Sequence, residues 1–261
     1  FKIGIGPSSS HTMGPMVAAN NFLELMRSSP FNFAGVRCRL HGSLAFTGVG
    51  HATDRAVTLG LEGFTPENYD EVKASKALSR IQSTHFLEPD GLGKLKFNTS
   101  EDLIFDYGPR LDEHSNGLIL YAIDHQGDVI LEEIYFSIGG GFILTKSEFS
   151  QQSPNEIGSE VPYPFKTAAE MLQMARSSGK SIAEMKRDNE KALHSNAEIK
   201  DGLSRIWKTM DMCIKRGLEN DGQLPGGLNV KRRAKGIYDA LISEKGKNCL
   251  LYTSPSPRDR Y

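Results

Sequence analysis

A change of hydrophobic period near residue 160 constrains this chain more than any other feature. Before it, apolar and polar residues alternate. Val36, Cys38 and Leu40 oppose Arg37, Arg39 and His41, the two-residue period of a half-buried strand over 35–41. Leu118 to Ile123 and Val129 to Ile138 are rich in β-branched and aromatic residues. Asp124-His125-Gln126-Gly127-Asp128 joins them as a hairpin turn. Helical spacing is interleaved with these runs. Met16, Ala19, Leu23 and Met26 share one face of a helix over Met13 to Arg27, and Asp54 to Leu61 reads as a short helix after a glycine-rich turn. Beyond residue 160 only the helical period remains. The expected fold class is therefore α+β: an N-terminal α/β domain over 1–155, then the start of an all-α domain over 160–247.

In the second region, Pro162 and Pro164 mark a short linker. Phe165 to Arg176 carries Met171, Leu172 and Met174 and ends near Gly179. Ser181 with Glu184, and Ser195 with Glu198, have the spacing of capping boxes that open the next two helices. The later of these carries Ile199, Leu203, Ile206, Trp207 and Met210 on one side and is expected to stop at Gly217. Gly222 to Gly227 reads as a loop and Arg232 to Ser243 as a fourth helix. Residues 66–116 read as polar and irregular, with a turn at Pro89-Asp90-Gly91. The stretch 248–261 has no packing logic and resembles translated adaptor sequence, so native sequence is expected to stop near Lys247. A genuine disordered tail is the other reading of its Pro and Ser content.

Charge excludes some partners. Lys+Arg 31 against Asp+Glu 32 gives a net charge of −1, so no long-range field favours nucleic acid or an anionic membrane. No apolar run reaches the roughly 20 residues that cross a bilayer. The start, Phe1-Lys2-Ile3-Gly4-Ile5-Gly6-Pro7, lacks a signal peptide's form. It also lacks an initiator Met, so the beginning is expected to be clipped. Cys38, Cys213 and Cys249 form no CxxC pair, which argues against a disulfide framework and against a complete local metal site. Each reads as a small buried hydrophobe in a reducing, cytoplasmic setting.

Three segments carry groups that could do chemistry. The first is Gly6-Pro7-Ser8-Ser9-Ser10-His11-Thr12-Met13-Gly14-Pro15. Hydroxyls and free backbone N–H groups at a helix start suit a carboxylate or phosphate, and His11 can titrate near neutral pH. A plain Ser-rich N-cap is the competing reading. No Gly-Lys-Ser/Thr follows, so this is not a Walker loop, and Gly4-Ile5-Gly6 is too weak for a dinucleotide site. The second segment is His41-Gly42-Ser43-Leu44-Ala45 leading to Gly48-Val49-Gly50-His51-Ala52-Thr53-Asp54. Its turn can bring His51, Thr53 and Asp54 to a ligand. Equally, Thr53 or Asp54 is a sound N-cap and a lone loop histidine is often solvated. The third is Ser137-Ile138-Gly139-Gly140-Gly141-Phe142, which marks either close backbone approach to a ligand or chain, or a bend in the sheet.

Taken together, these segments resemble the bacterial iron–sulfur L-serine dehydratases of single-chain type. The resemblance rests on Pro7-Ser-Ser-Ser-His-Thr12, Gly48-Val-Gly-His-Ala-Thr-Asp54 and Tyr135-Phe-Ser-Ile-Gly-Gly-Gly-Phe142. It extends through Val161-Pro-Tyr-Pro-Phe165, Asn189-Glu-Lys-Ala-Leu-His194 and Leu224-Pro-Gly-Gly-Leu228 followed by Arg232-Arg233. Each motif is weak alone; their succession from Phe1 to about Lys247 is specific.

The resemblance implies an α/β substrate-binding domain followed by a helical catalytic domain. It also implies a [4Fe-4S] cluster used as a Lewis acid, whose cysteine ligands follow this chain and match neither Cys38 nor Cys213. The implied reaction is deaminating dehydration of L-serine to pyruvate and ammonia by a cytoplasmic homodimer, in amino-acid catabolism and gluconeogenesis. The chain alone, truncated before the cluster ligands, is expected to be inactive. His51 would be the base, with Thr53 orienting it or the substrate. His11 would bind substrate or stabilise charge. Ser8, Ser9, Ser10 and Thr12 would receive the carboxylate, and Ser43 with Gly139, Gly140 and Gly141 would complete the pocket. The serine cap and the histidine loop are thus expected to line one cavity.

Three other readings remain at this point. A pyridoxal-phosphate dehydratase would need a Schiff-base Lys beside a phosphate-cradling loop, and no such pair stands out. A non-catalytic module could bind a small carboxylic acid and do no chemistry. An interaction scaffold could arise from apolar helix faces left exposed.

Overall fold

The computed structural model describes residues 2–151, 161–224 and 229–245. It is a mixed helix-and-sheet protein whose contacts divide into two compact units. The first takes in the chain to Gln152 together with Gln223–Val230; the second takes in Ser153–Gly222 and the chain from Lys231 onward. The stretch 248–261, expected to be non-native, lies outside the described residues, as does the second half of the Gly222 to Gly227 loop.

In the first unit a π-helical turn, Ser9–Met13, runs into α1 (Gly14–Ser28). Then come β1 (Gly35–His41), the single turn α2 (Ser43–Phe46), α3 (Thr53–Leu61) and α4 (Glu71–Thr84). The strands β2 (Phe86–Leu87), β3 (Leu95–Lys96), β4 (Leu103–Asp106), β5 (Gly117–Ile123), β6 (Val129–Gly139) and β7 (Phe142–Thr145) follow, with α5 (Lys146–Gln151) closing the unit. They form one seven-stranded sheet in the order β2-β3-β1-β5-β6-β7, with β4 also beside β1. β4 runs parallel to β1, pairing Cys38 with Leu103 and His41 with Asp106. β5 pairs antiparallel to β1, and β6 antiparallel to β5 across the Asp124–Asp128 turn.

The core lies between the sheet and its helices. Phe22, Leu23 and Met26 of α1 meet Val36, Cys38 and Leu40 of β1, Leu118, Leu120 and Ala122 of β5, and Phe97, all wholly or almost wholly enclosed. Val57 and Leu61 of α3 join the same cluster. A second cluster, Met16, Ala56, Leu59 and Ala74, knits α1, α3 and α4. This packing delivers the C-terminal end of β1, the start of α1 and the start of α3 to one region, and the candidate groups sit there.

The structure corrects the expectation of an irregular segment at 66–116. α4 occupies Glu71–Thr84, and β2, β3 and β4 follow. Among its buried residues only Ile81 is large, the other being Ala74, so its apolar stripe is faint in the sequence. Asp70 starts it by accepting the Lys73 N–H at 2.9 Å. A second correction concerns α3. Neither Thr53 nor Asp54 caps it: Ala52 holds that position at φ 54°, with no side-chain cap.

The second unit holds α6 (Ala168–Ser178), α7 (Ile182–Lys191), α8 (Asn196–Glu219) and α9 (Ala234–Lys245). Both expected capping boxes form, Ser181 with Glu184 and Ser195 with Glu198, and Thr167 with Glu170 makes a third. That third box starts α6 at Ala168, three residues after Phe165, and α8 runs past Gly217 to Glu219. Asn189 is buried where it exchanges two 2.8 Å bonds with the Tyr163 backbone. Of the apolar side chains described here, only Met185 is buried.

Candidate active site

The serine segment enters α1 through its π-turn. Ser8 is the cap: its Oγ accepts the His11 N–H at 3.2 Å, and its carbonyl accepts the N–H groups of Thr12 and Met13. These three N–H groups are therefore spent, as is that of Ser8 on Thr12 Oγ1, which leaves the N–H groups of Ser9 and Ser10 for an anion. Ser9 Oγ accepts from Gly140 N at 3.3 Å and keeps its own hydrogen to donate. Ser8 and Ser10 hydroxyls lie 3.4 Å apart.

His11 stands between two hydroxyls. Its Nδ1 lies 2.8 Å from Ser10 Oγ and its Nε2 2.9 Å from Ser43 Oγ. A neutral imidazole has one donor and one acceptor nitrogen, so one serine donates to the ring and the other receives from it. Burial, reinforced by the nearby His51, holds the His11 pKa below the ordinary imidazole value, against a smaller opposing contribution from Ser43.

His51 comes from the other side. The two rings are 4.8 Å apart centre to centre, tilted by 39°. His51 Nδ1 is 2.8 Å from Thr47 O. A carbonyl only accepts, so Nδ1 carries the hydrogen, and in the neutral ring Nε2 holds the lone pair.

Beneath the rings the two loops are joined twice. Thr12 Oγ1 donates to His51 O at 2.9 Å, and Thr53 Oγ1 donates to His11 O at 2.6 Å. Both threonines are buried. Thr53 therefore acts on the backbone of His11; it reaches neither imidazole.

Ser43 reaches His11 because β1 ends in a turn at Gly42, whose φ of 55° and ψ of −129° suit only glycine. A Cβ there would also lie 2.4 Å from Ser115 O. Gly139, Gly140 and Gly141 all have positive φ. They form the β6–β7 turn with a register shift after Ser137, so the expected bend is a bulged hairpin that brings the Gly140 N–H to Ser9.

His11, Ser43, His51, the serine cap and Gly140 are thus gathered in one place. A separate cavity of about 550 Å³, lined by Arg55, Thr58, Ser79 and Phe105 among others, includes none of them.

Two polar groups named in the sequence turn out to be buried without hydrogen-bond partners among the described residues. His41 is buried at the end of β1 with neither ring nitrogen bonded, its Nδ1 3.9 Å from Asp106 Oδ2. Ser137 Oγ is buried and unbonded beside Gly14. The strand alternation that places His41 on a face with Arg37 and Arg39 predicts exposure. The chain covers it instead, and no local signal announces that.

Cys38 is enclosed in the core with its thiol pKa pushed far up by burial, as expected of a small buried hydrophobe, whereas Cys213 is exposed on α8, which corrects that expectation for it; Cys249 lies outside the described residues. Among the described residues no group of three or more His, Cys, Asp or Glu could hold a metal ion.

Comparison with known proteins adds to this geometry. The family model for the serine dehydratase beta chain matches residues 1–148. The chain is 39% identical over 246 residues to the L-serine dehydratase of Streptomyces coelicolor, covering 94% of this chain and 54% of that protein. It is 40% identical to the Escherichia coli L-serine dehydratase TdcG, covering 93% and 53%, and 38% identical to the Haemophilus influenzae L-serine dehydratase, covering 92% and 53%. The chain spans about half the length of these curated relatives.

Proposed function

The chain belongs to the serine dehydratase beta-chain family, and from that premise we propose that it serves an L-serine ammonia-lyase, which turns L-serine into pyruvate and ammonia. The reaction removes the α-proton and expels the β-hydroxyl as water. The resulting aminoacrylate tautomerises to an imine, and water releases ammonia. The observation that carries the reading is the meeting of His11 and His51 at 4.8 Å beside a cap of three serines.

In this reading His51 is the base. Its Nδ1–H is committed to Thr47 O, so the neutral ring presents the Nε2 lone pair to the α-proton. The substrate carboxylate accepts from Ser9 Oγ and from the Ser9 and Ser10 N–H groups, with Ser8, Ser10 and the Gly139–Gly141 turn shaping the rim. His11, kept neutral by burial and by His51, links the Ser10 hydroxyl to the Ser43 hydroxyl and would pass polarity between them to the substrate.

The [4Fe-4S] cluster implied by the resemblance would take its ligands from outside the described residues. Residues 1–155 would form the substrate-side domain, and 160–247 would open the helical catalytic domain. The same reading makes the intact enzyme a cytoplasmic homodimer of amino-acid catabolism. Among the described residues no helix is long and apolar enough to cross a membrane.

His51→Gln in the intact enzyme should lower anaerobic pyruvate release by about 10²–10⁴-fold, the usual worth of a general base, with serine binding retained. Unchanged turnover would remove His51 from this role.

A further inference from the structure

We propose that Thr12 and Thr53 are positioning residues: their buried hydroxyls form a reciprocal clasp that holds the serine cap and the histidine loop together and so fixes His11 against His51. The clasp rests on the proposed site, since its purpose is to set the two imidazoles.

The default bond of a helical threonine is local. Thr58 donates to Asp54 O at 2.8 Å, Thr47 to Ser43 O at 2.8 Å and Thr209 to Arg205 O at 3.0 Å, each four residues back. Thr12 and Thr53 depart from this habit. Each reaches a carbonyl 39 or 42 residues away in sequence, and in both cases the carbonyl belongs to the histidine of the opposite loop. Thr12 Oγ1 also accepts the Ser8 N–H at 3.2 Å, so one hydroxyl ties the cap's first residue to His51.

The rings themselves are held separately. Ser10 and Ser43 hold His11, and Thr47 holds His51. Orientation of each ring is thus local, whereas their separation depends on the backbones the threonines join. No other hydrogen bond described here connects the backbone of residues 8–13 to that of 47–53, directly or through a side chain, apart from the ring contact between His11 and Ser43 nearby in space.

The test uses the 261-residue chain with isotope-labelled histidine. In the unmodified chain, ring protons of His11 and His51 should show a mutual nuclear Overhauser effect; its absence would overturn the clasp without any variant. Thr53→Val and Thr12→Val keep size and lose the hydroxyl. Each should weaken that effect and shift the His11 titration upward toward the ordinary imidazole value, as His51 withdraws. Thr53→Ser and Thr12→Ser restore the hydroxyl and should restore both signals.

Valine variants that fold and leave both signals unchanged would overturn the proposal, as would serine variants that shift as far as the valine ones. If the valine variants fail to fold, the serine variants and the unmodified chain still decide it. Failure of the base assignment would instead appear as retained turnover in His51→Gln, a result independent of the ring signals read in chains that keep His51.

Discussion

In the first unit Phe22, Phe97 and Phe136 have no solvent exposure at all, while in the second Leu203, Trp207, Met210 and Ile214 stand along one face of α8 with 53%, 63%, 52% and 55% exposed. The helices of the second unit are nevertheless well begun, by three capping boxes, whereas α3 of the first starts at an uncapped Ala52. The contrast separates two sources of order. Local hydrogen bonding places helix ends without a core, and burial holds elements together without good caps. A site that needs groups from three separated segments requires the second kind, and His11, Ser43 and His51 all belong to the first unit.

The largest effect expected from this contrast comes from truncating one aromatic ring in each unit. Phe22→Ala opens a hole in a closed core and should cost about 3–5 kcal/mol. Trp207→Ala removes a larger side chain from a mostly exposed position and should change stability by about 0.5 kcal/mol or less. Urea unfolding of the two variants, followed by far-ultraviolet circular dichroism, measures both. Equal losses would mean that α8 buries its apolar face in solution, and the contrast would fail.

Removing a cap should do the reverse. Ser181→Ala breaks the box in which Ser181 Oγ accepts the Glu184 N–H at 3.3 Å while Glu184 accepts the Ser181 N–H at 2.8 Å. The expected cost is about 1 kcal/mol, confined to α7. Amide exchange should quicken in the first turn of that helix and stay unchanged in α1. An effect spread across both units would show that the second depends on more than local bonds.

The same division governs what could be read from sequence. The bounds of β1 were legible to the residue, because Val36, Cys38 and Leu40 are buried and alternate with the exposed Arg37 and Arg39. The capping boxes at Ser181 and Ser195 were legible because their chemistry lies within four residues. α4 was missed because Ala74 and Ile81 make too thin a stripe to register. In the candidate site, the residue types were legible but their bonds were not. Thr53 was expected to orient His51 or the substrate, and the partner its hydroxyl finds within the chain is His11 O, 42 residues away. The burial of His41 was invisible for the same reason, since the strand pattern assigns it to the open face with Arg37 and Arg39. Long-range pairing leaves no mark at either end of the sequence that creates it.

Acid should separate the units by the pH at which each begins to lose stability, with the smallest amplitude of the three tests because solvent screens the groups involved. In the first unit the pKa values of His11 and His41 are lowered, in both cases mainly by burial. A histidine with a lowered folded pKa binds fewer protons folded than unfolded. Its contribution is therefore complete above the unfolded value, 6.5, and declines as pH falls below it toward the lowered folded value. In the second unit the groups that matter are Glu170, Glu184 and Glu198. Hydrogen bonds from the Lys166 and then the Thr167 backbone N–H to Glu170, from Ser181 to Glu184 and from Ser195 to Glu198 hold these carboxyls below their ordinary value of 4.5. Their contribution is present above 4.5 and is lost as pH falls through the lowered folded values. Amide exchange followed from pH 7 to pH 5, corrected for intrinsic rates, should therefore show protection declining around α1 and β1 while α7 and α8 hold. Simultaneous decline would mean that the histidines are as solvated as the capping glutamates, and the burial that gathers the site would have been overstated.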